Sequence, residues 1–510
     1  MTAETHDGYI LGVEYPKTIY PKLSPVEIDF VLTQRGVAVP DESSNQRRYC
    51  ELGCGHGYTT VLLAAMDPGT EYLGIDVNPR HIDSGRKLAL DAGVKNVQFL
   101  ECSIRDALAQ DLGPFDWISL HGLISWVSES VETEIMEFVK TFLKLEGRLM
   151  ISYNAMPGKS QLQPLSWILK FFQKSNQKED NLENTALKAI QQLQEMLNRK
   201  AKVFTQNVRL GKTAQKLGKQ PIEYMIHEYL HKDWRSYYFI EIAEKLRKKG
   251  LKFVGSVNYF QNIDEYRFTL PMLSHINSFD DPIIREQVRD YYSNADFRMD
   301  VYCSQIKTLT AEQRLNAWRN TCFGLTRSPA ALNSQMRVSS GTVSLDRPVF
   351  WETVACLKQG PKKMAEMEDA MSHSSQDILK MALLPLLATN QIKPMSAAPQ
   401  AASKVARLNR LLVENSSKGE DVMALGTKYG IALRIPFFEQ VYLSIRNGNH
   451  FPDEDQIEIV QKTIENSGRV VQNENAEPIQ NDMEAHERIR HLLEEMESNK
   501  IPTFKKLGVL

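Results

Sequence analysis

The chain has 510 residues, enough for more than one domain, with 42% apolar and 24% charged residues, an ordinary globular balance. Its 61 basic and 63 acidic residues leave a net charge of −2 and no Lys/Arg-rich tail, so charge gives no sign of a nucleic-acid partner. No basic-then-apolar leader and no apolar run of ~20 residues occurs, which predicts a cytoplasmic protein without membrane insertion. The cysteines at 50, 54, 102, 303, 322 and 356 form neither C-x-x-C nor Cys/His zinc spacing, which predicts free thiols and no metal site.

Residues 1–35 are rich in Tyr and Pro: Tyr9, Tyr15-Pro16, Tyr20-Pro21 and Ser24-Pro25. Ser24 is placed to cap a helix over Pro25–Thr33, with Pro25 first and Glu27 third in it. The stretch before it reads equally as a lid over a ligand site or as a surface arm. Tyr49–Leu52 then reads as the end of a buried strand, Gly53–Gly57 as a tight loop and Tyr58–Met66 as a helix. Glycine turns with positive φ and lets a ligand lie against backbone, so strand, loop and helix form a nucleotide-binding corner. Its G-x-G-x-G spacing after Glu51 is neither the dinucleotide nor the phosphate-loop pattern.

Tyr72–Asp76 is a second strand, and Asp76 lies some twenty residues past the loop, where an acid accepts from both ribose hydroxyls. A helix over Arg80–Ala92, a strand over Val97–Cys102 and a helix at 106–111 follow. Phe115–Gly122 is the fourth strand, 130–144 a helix and Gly147–Asn154 the fifth strand. This alternation predicts an α/β fold with a doubly wound parallel sheet, whose ligands sit beyond the carboxyl ends of the strands. Glu51, Asp76, Ser103, His121 and Tyr153 fall there.

After Pro157 the alternation stops. Residues 160–218 are helical, for example Ala186–Val203, and predict an insertion that covers the acceptor site or makes a subunit contact in a homodimer. The sheet resumes with a helix over Asp233–Lys249 and strands at Leu251–Gly255 and Phe297–Cys303. The predicted division is a core of 1–156 and 222–308 around an insertion at 157–221, with a separate C-terminal domain at 309–510. In that domain Phe323–Val338 reads as loop-rich, Thr342–Val349 as a strand, and Ile378–Ala388 and Ser403–Asn415 as helices. Residues 465–482 read as a flexible linker and Met483–Ser498 as an amphipathic helix. The C-terminal domain shows no recognisable catalytic grouping.

The glycine loop, Asp76 and FDWISL (115–120) resemble the class I S-adenosyl-L-methionine (AdoMet) methyltransferases. Together with Tyr15-Pro16, Tyr20-Pro21, HGLISWV (121–127), SYNAMPG (152–158) and HEYLHKDWRSYYF (227–239), they resemble those members that carry a methyltransferase regulatory domain. The characterised members it resembles are rickettsial protein lysine methyltransferases acting on outer-membrane proteins. The resemblance implies a seven-stranded sheet with its last strand reversed, and AdoMet as cofactor. It places Glu51 near the methionine moiety, the backbone of Gly53, Cys54, Gly55 and Gly57 against the ligand, and Asp76 with Val77 at the ribose. Ser103 and Ile104 fall at the adenine and His121 at the cofactor face. Many members carry Asp where Ser103 stands, which leaves open what holds the adenine amino group.

A lysine acceptor must shed a proton with a pKa near 10.4, costing about 4–5 kcal/mol at neutral pH, and a dry aromatic slot supplies part of that. Tyr15, Trp126 and Tyr153 are candidate walls and His121 a candidate orienting group, with a place in the core as the alternative for each. Two other readings keep the cofactor: a small-molecule methyltransferase, and a non-catalytic AdoMet-binding regulatory protein.

Overall fold

Seven strands run in one sheet: β1 (Arg47–Leu52), β2 (Thr70–Asp76), β3 (Val97–Glu101), β4 (Phe115–Leu120), β5 (Leu143–Asn154), β6 (Lys252–Ser256) and β7 (Phe297–Cys303). The computed structural model describes the chain apart from residues 1–4, 7, 8, 11, 14, 41–45, 176–181, 219, 221, 372–375, 401, 447–451, 475, 476 and 480. The side chain of Tyr9 also lies outside the described residues.

The spatial order is β3-β2-β1-β4-β5-β7-β6. β1 to β5 pair in parallel, while β7 runs antiparallel to both β5 and β6. The order reverses direction between β1 and β4, and the crevice at such a switch point receives ligands. Tyr49, Cys50, Glu51 and Leu52 of β1 are all buried, as expected for a central parallel strand covered on both faces, and Glu51 is the one charge among them.

Helices α1 (Pro25–Arg35), α2 (Tyr58–Met66), α3 (Pro79–Ala92), α4 (Ile104–Leu108) and α5 (Glu129–Phe142) cover the sheet. α4 starts two residues before the predicted position because Ser103 caps it, its hydroxyl accepting from the Asp106 amide. Ser24 stands where a cap is expected, but its hydroxyl donates to the Gly430 carbonyl at 2.5 Å instead. The helix predicted over Asp233–Lys249 forms only as α11, Phe239–Lys248. Ahead of it Tyr237 is drawn alongside the end of β5: its amide donates to the Asn154 carbonyl, and its carbonyl accepts from Met156.

The insertion contains α6 (Gln163–Ser175), α7 (Leu182–Asn198), α8 (Lys202–Thr205) and α9 (Val208–Leu217), and α10 (Ile222–Tyr229) follows. Leu165, Leu169, Ala189, Leu193, Leu210, Met225 and Ile226 make one core across these helices. The helix predicted over Ala186–Val203 breaks after Asn198, where Lys200 takes a left-handed φ of 55°.

An additional C-terminal domain packs on the α1–α2 side. One hydrophobic cluster runs from Ile28, Phe30 and Leu62 into Phe323, Met395, Leu425 and Ile431. The predicted loop at 323–338 contains a strand at Cys322–Leu325, paired with Ile392–Met395, and half of a hairpin, Gln335–Val338 with Gly341–Ser344. The strand predicted at Thr342–Val349 ends at Ser344 because Pro348 opens a helix. The predicted linker 465–482 is folded over its described part: Val471 is buried and its carbonyl accepts from the Ile479 amide.

Candidate functional site

The loop after β1 owes its shape to positive φ at Gly53, Gly55 and Gly57. At Gly55 (φ 53°) a Cβ would meet nothing within 4 Å, so its outer face is open, and its amide donates to Asp76 Oδ2 at 2.9 Å. Gly57 differs: a Cβ there would overlap the Phe99 ring, so this glycine serves packing of α2 against β3 rather than the cavity. Asp76, at the end of β2, is 8% exposed, and its Oδ1 accepts from the Asn78 amide at 2.9 Å and from His81 Nδ1 at 3.2 Å. Glu51 is buried on β1, with the Thr60 hydroxyl donating to it at 2.6 Å. Burial, and then the charge of Asp76, push the Glu51 carboxyl up to about 8.

These groups form one end of a cavity of 610 Å³. Three parts of the chain give most of its walls: the N-terminal segment (Tyr15, Pro16, Thr18, Tyr20), the corner (Glu51, Gly53 to His56, Asp76, His81) and the turn after β4 (His121 to Leu123, Trp126, Val127). Asn154 and Phe297 close one side, and Lys159, Tyr224, His227, Glu228 and His231 the other. Asp421, Met423 and Arg469 of the C-terminal domain complete it. The N-terminal segment is stitched across the opening. His56 Nε2 meets the Tyr15 carbonyl at 2.8 Å, His227 Nε2 meets the Val13 carbonyl at 2.9 Å, and the Ile19 amide donates to the Val422 carbonyl at 3.1 Å.

The half of this cavity around His121 is aromatic. The Tyr20 ring lies 4.0 Å from the His121 ring, and the Phe297 ring lies 5.9 Å from it, edge-on. Burial pushes His121 down to about 4, so the ring is neutral at pH 7, and its Nδ1 shares a 2.9 Å hydrogen bond with the Ser152 hydroxyl. Burial likewise pushes Tyr20 up to about 12 and raises Tyr15, so both phenols keep their protons. Glu228 is also raised by burial, against the pull of Lys159 at 3.5 Å.

The structure brings Tyr15, Glu51, Gly53, Cys54, Gly55, Asp76, His121 and Trp126 to this cavity. Tyr153 is not in its lining: the ring is wholly buried and its hydroxyl donates to Asp300 at 2.7 Å, within the ion network of Arg298. Adjacent strand residues face opposite sides, and it is Asn154 that reaches the cavity, its Nδ2 buried without a hydrogen-bond partner among the described residues. Gly57, Val77, Ser103 and Ile104 lie outside the lining as well. Ser103 is occupied as the cap of α4, its hydroxyl donating to Asp106 at 2.7 Å. Sequence reasoning missed Tyr20, His56, His81, Asn154, Tyr224, His227 and Glu228 as site residues. His227 and Glu228 sat in a quoted motif without a role.

The strand order, the reversed β7 and a glycine corner facing two acids define a class I methyltransferase. Residues 43–229 match the family described as a methyltransferase domain, and residues 221–304 the one described as a predicted methyltransferase regulatory domain. The chain is 28% identical over 510 residues to an uncharacterized protein of Synechocystis, covering 99% of each. It is 31% identical over 203 residues to an uncharacterized protein of Rickettsia prowazekii, covering 40% of this chain and 80% of that relative. Of solved structures, PKMT2 from Rickettsia typhi in complex with AdoHcy matches 95% of this chain and 98% of its own, with a TM-score of 0.65 at 18% identity.

The chain belongs to the AdoMet-dependent methyltransferases that carry a methyltransferase regulatory domain. The residues at hand fit that cofactor: open backbone at Gly55, a carboxylate at the end of β2 facing the cavity, and at Glu51 a buried carboxyl that gains from a cation beside it.

Proposed function

We propose that this methyltransferase acts on the side-chain nitrogen of lysine in a protein substrate. The observation that carries the reading is the placement of His121 in the cavity wall beside the Tyr20 and Phe297 rings, where burial pushes its imidazole down to about 4. Surroundings that disfavour an imidazolium also disfavour an ammonium, so a lysine entering there is driven toward the neutral amine that can attack. AdoMet supplies, when bound, a methyl group on a cationic sulfur. Tyr15, Tyr20, Trp126 and Phe297 exclude water and confine the amine, so much of the rate comes from alignment and desolvation. The likeness to PKMT2 over nearly the whole chain supports a protein acceptor, and the family resemblance read from the sequence supports one of outer-membrane type. The same proposal assigns 1–156 and 222–308 to the catalytic core, 157–221 to a cover or homodimer contact, and 309–510 to completing the acceptor wall. Among the described residues no helix is long and apolar enough to cross a membrane.

The test is incubation of a lysate with the enzyme and methyl-labelled AdoMet, followed by mass spectrometry. Label on lysine Nε of a protein is the expected result. Label confined to the small-molecule fraction would establish a small-molecule acceptor. AdoMet binding with no transfer would establish a regulatory protein.

A further inference from the structure

A ribose presents two hydroxyls, and an acid at the end of β2 is expected to accept from both. Here Asp76 is not free to do so. A carboxylate has about four lone-pair sites. Oδ1 already accepts from Asn78 N at 2.9 Å and His81 Nδ1 at 3.2 Å, and Oδ2 from Gly55 N at 2.9 Å. One site remains, on Oδ2, for one hydroxyl. The second hydroxyl requires another acceptor at the same wall.

His81, in the first turn of α3, has the needed chemistry. Its side chain is fully buried and lines the cavity, with its ring 4.4 Å from that of His56. Nδ1 faces a carboxylate oxygen, an acceptor, so Nδ1 carries the hydrogen, and in that tautomer Nε2 carries the lone pair. Nε2 is buried and has no hydrogen-bond partner among the described residues. A buried acceptor left unsatisfied is costly, and one in a ligand cavity is the kind of group a ligand satisfies. Glu51, the other acid at this corner, stands on β1 and accepts from the Thr60 hydroxyl at 2.6 Å.

We propose that His81 is a cofactor-binding residue: its Nε2 accepts one ribose hydroxyl while Asp76 Oδ2 accepts the other. Sugar recognition is then divided between two acceptors that are themselves joined by the Asp76–His81 hydrogen bond. The assignment rests on the AdoMet site and not on the identity of the methyl acceptor.

The experiment is calorimetric titration of the full chain with AdoHcy and with its 2′-deoxy and 3′-deoxy analogues, on the unaltered protein, His81→Asn and His81→Gln. Asn retains a donor near Nδ1 but places nothing at Nε2, whereas Gln puts a carbonyl near Nε2. On the unaltered protein, removal of either hydroxyl is expected to weaken binding about tenfold, the worth of one net hydrogen bond. In His81→Asn one of the two analogues is expected to bind as well as AdoHcy itself, while the other still loses about tenfold. His81→Gln is expected to restore the discrimination. Each comparison is a ratio within one protein, so a general loss of stability lowers both affinities and leaves the ratio in place. Both analogues losing as much in His81→Asn as in the unaltered protein would overturn the assignment.

Discussion

The two halves of the cavity are built differently. The cofactor corner is nearly continuous in sequence: Glu51, Gly53, Gly55, Asp76 and His81 lie within one strand-loop-helix-strand-helix unit, and hydrogen bonds from Gly55 and Asn78 fix its carboxylate. The acceptor half is assembled from the N-terminal segment, the ends of β4 and β5, the insertion with α10, and the C-terminal domain. A site within one unit is rigid and polar. A site at the junction of several is defined by what each part contributes, here aromatic rings from the N-terminal segment, the turn after β4 and β7. Changes in the corner should therefore act on cofactor affinity, and changes in the chamber on turnover.

The largest effect is expected at Asp76. Asp76→Ala removes the acceptor for two backbone amides and His81 together with the ribose contact, so AdoHcy affinity measured by calorimetry should fall by about 3 kcal/mol or more. Unchanged affinity would break the division between the halves. Next comes the contrast between two glycines of one loop. Gly57→Ala adds a Cβ at φ 70° against the Phe99 ring and should cost about 2–4 kcal/mol of stability in denaturant melts. Gly55→Ala meets no neighbour at φ 53° and should cost only about 1–2 kcal/mol, yet weaken cofactor binding.

In the chamber, Trp126→Ala should lower kcat about tenfold or more while leaving AdoHcy affinity within about twofold, since it borders the acceptor side only. Equal loss in both would erase the proposed partition. The smallest effect is expected at Tyr153, next to the chamber but turned from it. Tyr153→Phe should cost about 1–2 kcal/mol through its bond to Asp300 and leave kcat unchanged.

A pH series sharpens the corner further. Glu51 holds its proton more tightly when folded, at about 8 against an ordinary 4.5, so its contribution to stability is complete below about 4.5 and is lost as pH rises toward about 8. Glu51→Gln should lack that decline in thermal melts. A cationic ligand needs the ionised carboxylate, so AdoMet affinity should rise with pH up to about 8, with proton release visible as a buffer-dependent binding heat. The same slope in Glu51→Gln would assign the titration to another group.

The contrast also explains what the sequence could reveal. The corner was legible because glycines, a terminal acid and the strand-helix period are local signals; the same alternation gave the parallel strands, while the reversed last strand came only from the family resemblance. His81 escaped notice because its role depends on how many lone pairs of Asp76 are already used, which is a count of backbone contacts. Tyr153 was taken for Asn154 because strand alternation fixes that neighbours differ in face but not which one turns to the ligand. Ser103 stands outside the cavity lining, and its hydroxyl is engaged in capping α4. The chamber needed contacts across hundreds of residues, such as Ile19 with Val422, that no local pattern encodes.

The most direct test of the account is a crystal structure of the protein with AdoHcy bound. The account predicts density along Gly53–Gly55, with the sugar against Asp76 and His81 and the sulfur turned toward His121 and Trp126. Density at any other location, or an empty corner at saturating AdoHcy, would contradict it.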